Sequence, residues 1–221
     1  QRQMCIRDRI DVDAVADGQD VLIGAIMEHI EEAGIHSGDS ACIIPPQTLS
    51  SEVQDTVRDY VKKIALEFHV KGILNIQMAY KDGVVYVLEA NPRASRTIPF
   101  VSKSVGLPLA KIAASVMAEC TLQDLGYTKE PVLPYVSVKE VMLPFDKLPG
   151  ADTLLGPEMR STGEVMGVDY VPGLALFKAE LSADNSLPTE GIVFISVKNE
   201  DKKDLAEVAK TLSDVGLSII A

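Results

Sequence analysis

The chain has no tryptophan, only five phenylalanines and six tyrosines, three cysteines and three histidines in 221 residues. Positive charge is also scarce: 21 Lys and Arg stand against 32 Asp and Glu, a formal net charge of −11. That balance disfavours non-specific nucleic-acid binding, which relies on a basic surface. Cys5, Cys42 and Cys120 are scattered and odd in number. No pair has metal-ligand spacing, so reduced thiols in a cytoplasmic protein are expected. His29, His36 and His69 lack zinc-type spacing as well. No apolar run reaches the length needed to span a bilayer, and the amino terminus carries no apolar signal core. A Gly-Lys-Ser/Thr phosphate loop and a Gly-x-Gly-x-x-Gly run are both missing.

What is present is ordinary in bulk, with 47% apolar and 24% charged residues. That suits one large domain or two smaller ones. Residues 1–9 are basic and aperiodic, and are expected to be a non-native leader outside the fold. Val21 to Ile30 fits either a strand or a helix, because its periodicity does not decide. Ala41 to Ile44 reads as a strand ended by Pro45-Pro46. A helix is predicted from Ser50 or Ser51, with Val53, Val57, Val61, Ile64, Ala65 and Phe68 on one buried face. A second helix is predicted over Pro108 to Met117, with Leu109, Ile112, Ala113 and Val116 inward. Residues 121–189 read as short, irregular elements, and Ser182 to Pro188 as a linker. Beyond it come a strand (Ile192 to Val197), a helix (Lys202 to Val215) and the start of another strand, the opening of a parallel βαβ unit.

The run Asn75-Ile-Gln-Met-Ala-Tyr-Lys-Asp-Gly-Val-Val-Tyr-Val-Leu-Glu-Ala-Asn-Pro-Arg93 reads as a hairpin. Glu89 and Asn91 are two apart and share a face of its second strand. A three-residue loop, Lys81-Asp82-Gly83, is predicted, because it sets Gln77 opposite Val87 and diagonal to Glu89 on that face. Carboxylate and amide oxygens suit a hard cation such as Mg²⁺, with phosphate oxygens and water completing its shell. Arg93 supplies a charge for a transferring phosphate. From spacing alone, the run equally fits a solvent-facing hairpin with a polar rim. His36 fits a loop histidine bonded to the backbone, His29 and His69 read as structural, and Arg96 and Lys103 as solvated cations.

Glu89-Ala-Asn-Pro-Arg93 after a Gln-bearing strand resembles the metal-binding end of ATP-grasp enzymes. The runs Met27 to Ala41, Arg96 to Lys111 and Leu155 to Gly167 are similar to the large chain of the carbamoyl-phosphate synthase family, in the carboxy-terminal of its two ATP-grasp halves. The resemblance covers residues 10–221. It implies an α/β fold: an ATP-grasp subdomain at 10–120, its connecting segment at 121–190, and at 191–221 the start of a truncated, Rossmann-like regulatory domain of the methylglyoxal-synthase type. It implies ATP-dependent phosphorylation of carbamate to carbamoyl phosphate, feeding arginine and pyrimidine synthesis, in a ligase that hydrolyses glutamine. Gln77, Glu89 and Asn91 would ligate Mg²⁺ or Mn²⁺, and Arg93 would stabilise the transferring phosphoryl group. Gly34, Ile35, His36 and Ser37, with Gln77 and Glu89, would line the nucleotide, and a monovalent cation such as K⁺ fits the family. The implied partners are a small glutamine amidotransferase chain, the remainder of the large chain and further copies of it. The family also has an acidic residue where this chain has Arg9. Arg160, Ser161, Thr162 and Glu164 are expected to serve domain packing. The alternatives are a catalytically silent assembly or effector module, and another ATP-grasp enzyme of the biotin-carboxylase kind. The carboxy-terminal βαβ unit and the Leu155–Gly167 run argue against the second.

Overall fold

In the computed structural model, the described residues are 8–197 except Glu32, together with Asn199 and residues 202–220. They divide into two compact units, one ending at Asp184 and the other starting at Asn185. That division falls inside the stretch expected to be a linker.

The first unit is built on one seven-stranded sheet. Its strands are β1 (Asp8–Asp17), β2 (Val21–His29), β3 (Cys42–Ile44), β4 (Lys71–Lys81), β5 (Val84–Asn91), β6 (Val136–Met142) and β7 (Gly163–Asp169). Their spatial order is β5-β4-β1-β2-β3-β6-β7, with every neighbouring pair antiparallel. The helices are α1 (Ser51–Glu67), α2 (Ile98–Val105), α3 (Leu109–Met117) and α4 (Pro172–Ser182). None of the described helices is single, long and apolar enough to cross a membrane.

The period of two along β1 divides the unit into two cores. Ile10, Val12, Ala14 and Ala16 face α1 and pack with Val57, Val61, Ala65, Leu74, Ile76 and Met78. Truncating a fully buried member such as Leu74 to alanine would cost about 2–5 kcal/mol. Arg9, Asp11, Asp13 and Val15 hold the alternate positions. Val15 packs beneath α2 and α3 with Ile98, Val101, Leu109, Ile112 and Val116. Moving along β1 from Val15 to Arg9, this second face turns from apolar to charged. The chemistry lies on that face.

Local signals explain the elements. The hydroxyl of Ser50 caps α1 by accepting from Val53 N. Gly106, at φ 69°, ends α2 in the left-handed conformation that glycine adopts without strain. Gly24 is the extra residue of a β1–β2 bulge, and a Cβ there would lie 2.8 Å from Leu109 Cδ1, so its bareness lets α3 close onto the sheet.

Several expectations change. Val21–His29 is a strand. Phe68 is 73% exposed beyond the end of α1, where the apolar face of the helix has run out. Helix α2 was not anticipated. Residues 121–190 are more than a connection: β6 and β7 extend the sheet and α4 packs on both of them. Of the segment set apart as a leader, residues 1–7 lie outside the described residues. Asp8 and Arg9 belong to the sheet, opposite Tyr80 and Ala79.

In the second unit β8 (Ile192–Phe194) and β9 (Ser218–Ile220) pair in parallel, joined through α5 (Lys202–Asp214). This is the expected βαβ arrangement. The helix face is only partly covered: Leu205, Ala209 and Leu212 are half-buried, whereas Val208 and Val215 are exposed.

Candidate functional site

The β4–β5 hairpin puts Gln77 and Glu89 on one face, as expected, but directly opposite each other rather than with Gln77 opposite Val87. Its loop has two residues, Asp82 and Gly83, at φ 52° and 82°, between the paired Lys81 and Val84. This is the mirror-image turn that matches strand twist, so the three-residue loop is corrected. A bulge between Gln77 and Met78 then restores the phase: Leu88 is the extra residue, Gln77 pairs with Glu89 and Asn75 with Asn91. The shared face was right, and the device that produces it was misplaced. Asn91 Nδ2 donates to Glu89 Oε1 at 2.9 Å, which fixes the two side chains side by side.

On that face a polar cavity of about 180 Å³ is lined by residues from β1, β4, β7 and three loops, among them His36, Ser37, Gln77 and Arg93. Four residues predicted from sequence therefore converge. Gly34, Ile35, Glu89 and Asn91 are not among its lining; the last two stand across the strand pair from Gln77 and Asn75. Gln77 Nε2 donates to Ser37 Oγ at 3.2 Å, joining the hairpin to the loop of Ser37. Two larger clefts, of about 390 and 490 Å³, are mainly apolar and contain none of the predicted residues.

Sequence reasoning missed what lies beneath and around the cavity. Asp11, Asn75, Ser95, Arg96, Thr97 and Glu164 also line it. Asp13, fully buried, accepts from Asn75 Nδ2, Ser95 Oγ and Thr97 Oγ1. It thereby ties the loop that carries Arg93 and Arg96 to the centre of the sheet. Burial pushes its carboxyl up to about 6, against the opposing pull of those three bonds. The signal available in the sequence was the pair of aspartates alternating with apolar residues in Ile10-Asp-Val-Asp-Ala14. A strand with acids at the buried alternate positions of a central sheet must have partners for them.

Asp11 lies 3.6 Å from Arg9 Nε and 3.4 Å from His29 Nε2. Burial opposes its ionisation, but His29, Arg9 and Lys139 outweigh that cost and hold its carboxyl below the ordinary range. His29 continues through Ser40 Oγ, 2.7 Å from its Nδ1, to Glu31 Oε2, 2.7 Å from that hydroxyl. Lys139 is fully buried, and its Nζ has no hydrogen-bond partner among the described residues. Its field lowers Asp11, and it offsets part of the burial that raises Glu164.

The donor set can be tested against a divalent cation. Among the described residues no three His, Cys, Asp or Glu side chains converge on a possible metal position. Gln77, Glu89 and Asn91 offer one carboxylate and two amides, a sparse oxygen set that suits Mg²⁺ when phosphates and water supply the rest. Arg9 modifies this picture, because its guanidinium donates to Gln77 Oε1 and to the Ile35 carbonyl. A fixed positive charge therefore sits on an oxygen that a metal ion would use.

The fold is that of an ATP-grasp domain. Similar solved structures include the biotin carboxylase domain of a single-chain bacterial carboxylase, at TM-score 0.61 and 16% identity, covering 95% of this chain and 58% of that one. Another is the urea amidolyase of K. lactis, at TM-score 0.61 and 12% identity, covering 79% of this chain and 12% of that one. At such identities they speak for the fold alone. Residues 4–125 match the family model described as carbamoyl-phosphate synthase L chain, ATP binding domain, and the chain belongs to that family. Carbamoyl phosphate synthase large chains are similar over 96% of the chain, at 74% identity in Methanothrix thermoacetophila and 69% in Methanosarcina barkeri. This chain spans 20% of the length of each.

Proposed function

We propose that this chain carries the metal-side half of an ATP-dependent site that phosphorylates carbamate to carbamoyl phosphate. The carrying observation is the register of the hairpin: Gln77 opposite Glu89, with Asn91 bonded to Glu89 and Arg93 in the adjoining cavity. In this reading Gln77, Glu89 and Asn91 hold Mg²⁺ or Mn²⁺, which neutralises charge on the nucleotide phosphates when bound. Gly34 to Ser37 line the nucleotide, and K⁺ is the candidate monovalent ion. Arg93 holds the transferring phosphoryl group while a carbamate oxygen bonds to the γ-phosphorus and ADP leaves. No protein nucleophile is needed, because such transfer is governed by positioning and electrostatics. Asp13 keeps the Arg93 loop in place through Ser95 and Thr97.

The same reading puts the chain within a cytoplasmic, glutamine-hydrolysing ligase of arginine and pyrimidine synthesis. Its companions are the rest of a large chain, a small amidotransferase chain and further copies, with 191–221 opening a regulatory domain. A silent assembly module is the second reading. It is favoured by the Arg9 guanidinium on Gln77 Oε1, which competes for a metal-ligand oxygen. The test is carbamate-dependent release of ADP by the full-length protein that carries this chain. Release that Arg93→Ala abolishes is the expected result, and no carbamate dependence would refute the proposal.

A further inference from the structure

Residues 151–162 run without helix or strand before β7, and most of them are exposed. Their attachments are concentrated in one place. His36 N donates to Gly156 O at 2.8 Å. The buried carboxylate of Asp39 accepts from Arg160 N at 2.6 Å and from Ser161 N at 2.8 Å, one oxygen for each donor. Ser161 Oγ donates to Gly38 O at 2.7 Å. Met159 closes over Gly38, where a Cβ would stand 3.0 Å from its sulfur, and lines the polar cavity beside His36 and Ser37. Four hydrogen bonds thus join residues 36–39 to residues 156–161, about 120 positions further along the chain.

Elsewhere the loop is tied by Gln77 Nε2 to Ser37 Oγ and by Arg9 to the Ile35 carbonyl, and its own turn is short. Ser37–Asp39 forms a single short turn capped by His36, and Gly38 gives it no side chain to pack. A loop of this kind pays conformational entropy whenever a ligand orders it. Pinning it beforehand removes that cost.

We infer that Asp39 and Ser161 form a latch by which the 156–162 segment pre-sets the His36–Ser37 loop for nucleotide. This rests on the nucleotide reading of that loop proposed above. Both are positioning residues: neither lines the cavity, and each acts through the backbone of its partner segment. The Asp39 carboxyl is held below its ordinary range despite burial, chiefly by the Ser161 and Arg160 bonds, so the latch is closed at neutral pH.

The test uses this chain and three variants. Asp39→Asn presents one acceptor to two N–H donors, Ser161→Ala removes the bond to Gly38 O, and Ser161→Thr retains it. Affinity for Mg·ADP is read by calorimetry and affinity for Mn²⁺ alone by proton relaxation. Expected are about tenfold weaker Mg·ADP binding in Ser161→Ala and Asp39→Asn, parent-like binding in Ser161→Thr, and unchanged Mn²⁺ affinity in all three. Ser161→Ala binding Mg·ADP like Ser161→Thr would overturn the latch while leaving the nucleotide site intact. Equal loss of Mn²⁺ and nucleotide would overturn it too, because the effect would then be general loosening. No Mg·ADP binding by the folded parent would refute the nucleotide reading itself and, with it, the latch. If Asp39→Asn fails to fold, the Ser161 pair decides.

Discussion

Replacing Asp13 by asparagine should change how the stability of the first unit depends on pH. Asp13 is fully buried and its carboxyl is pushed from an ordinary 3.8 up to about 6. Between those two values the folded chain keeps a proton that the unfolded chain has released, so stability falls as pH rises through the window. Two pH units at 1.36 kcal/mol each give a loss of about 3 kcal/mol, complete above pH 6 and absent below 3.8. The asparagine variant does not titrate there. Whatever its fixed offset from lost or rearranged bonds to Asn75, Ser95 and Thr97, the stability difference should move in its favour by about 3 kcal/mol between pH 4 and pH 7. Urea denaturation followed by tyrosine fluorescence reads this cleanly. There is no tryptophan, and all six tyrosines precede Asp184, so the signal belongs to the first unit alone. A difference that stays flat across the range would refute the assignment of Asp13 as a carboxyl carried at a cost for the sake of the Arg93 loop.

Two further outcomes follow from the same face of the sheet. Arg9→Ala should strengthen Mn²⁺ binding by roughly threefold or more, because it removes a fixed charge from Gln77 Oε1; unchanged affinity by proton relaxation would remove Gln77 from the ligand set. Cys42 is buried and its thiol is pushed up to about 12 by that burial, whereas Cys120 is partly exposed. Iodoacetamide at pH 8 should therefore alkylate Cys120 in the folded chain and reach Cys42 only on unfolding. Equal labelling in a peptide mass map would contradict the packing around β3.

The parts legible in the sequence were those with a local signal. The α1 cap at Ser50, the inward face Leu109-Ile112-Ala113-Val116 and the final βαβ unit follow from capping and periodicity. The shared face of Gln77, Glu89 and Asn91 was legible because strand alternation sets it, and Arg93 joined them in the proposal through its charge and the resemblance of the run to a known family. The turn type was misread because a mirror-image turn with a bulge at Leu88 puts Gln77 and Glu89 on the same face as one longer loop would, although the register then sets Gln77 opposite Glu89 and not Val87. Helix α2 escaped because Ile98-Pro99 opens it without a side-chain cap, and the whole helix is only eight residues long. Asp13, Asp39 and Lys139 were illegible for a different reason. The hydrogen-bond partners of Asp13 lie 62 to 84 positions away and those of Asp39 121 to 122, while Lys139 has none among the described residues, so nothing near them in sequence reports their setting. Long-range satisfaction of buried charge belongs to the fold.

Gln77, Glu89 and Asn91 are proposed to form a working oxygen set beside the His36–Ser37 loop. The most direct test is calorimetric titration of this chain with ADP, with and without Mg²⁺, beside Glu89→Gln. Binding should require Mg²⁺ and be lost in the variant. Binding that needs no metal, or that survives Glu89→Gln undiminished, would contradict the proposal.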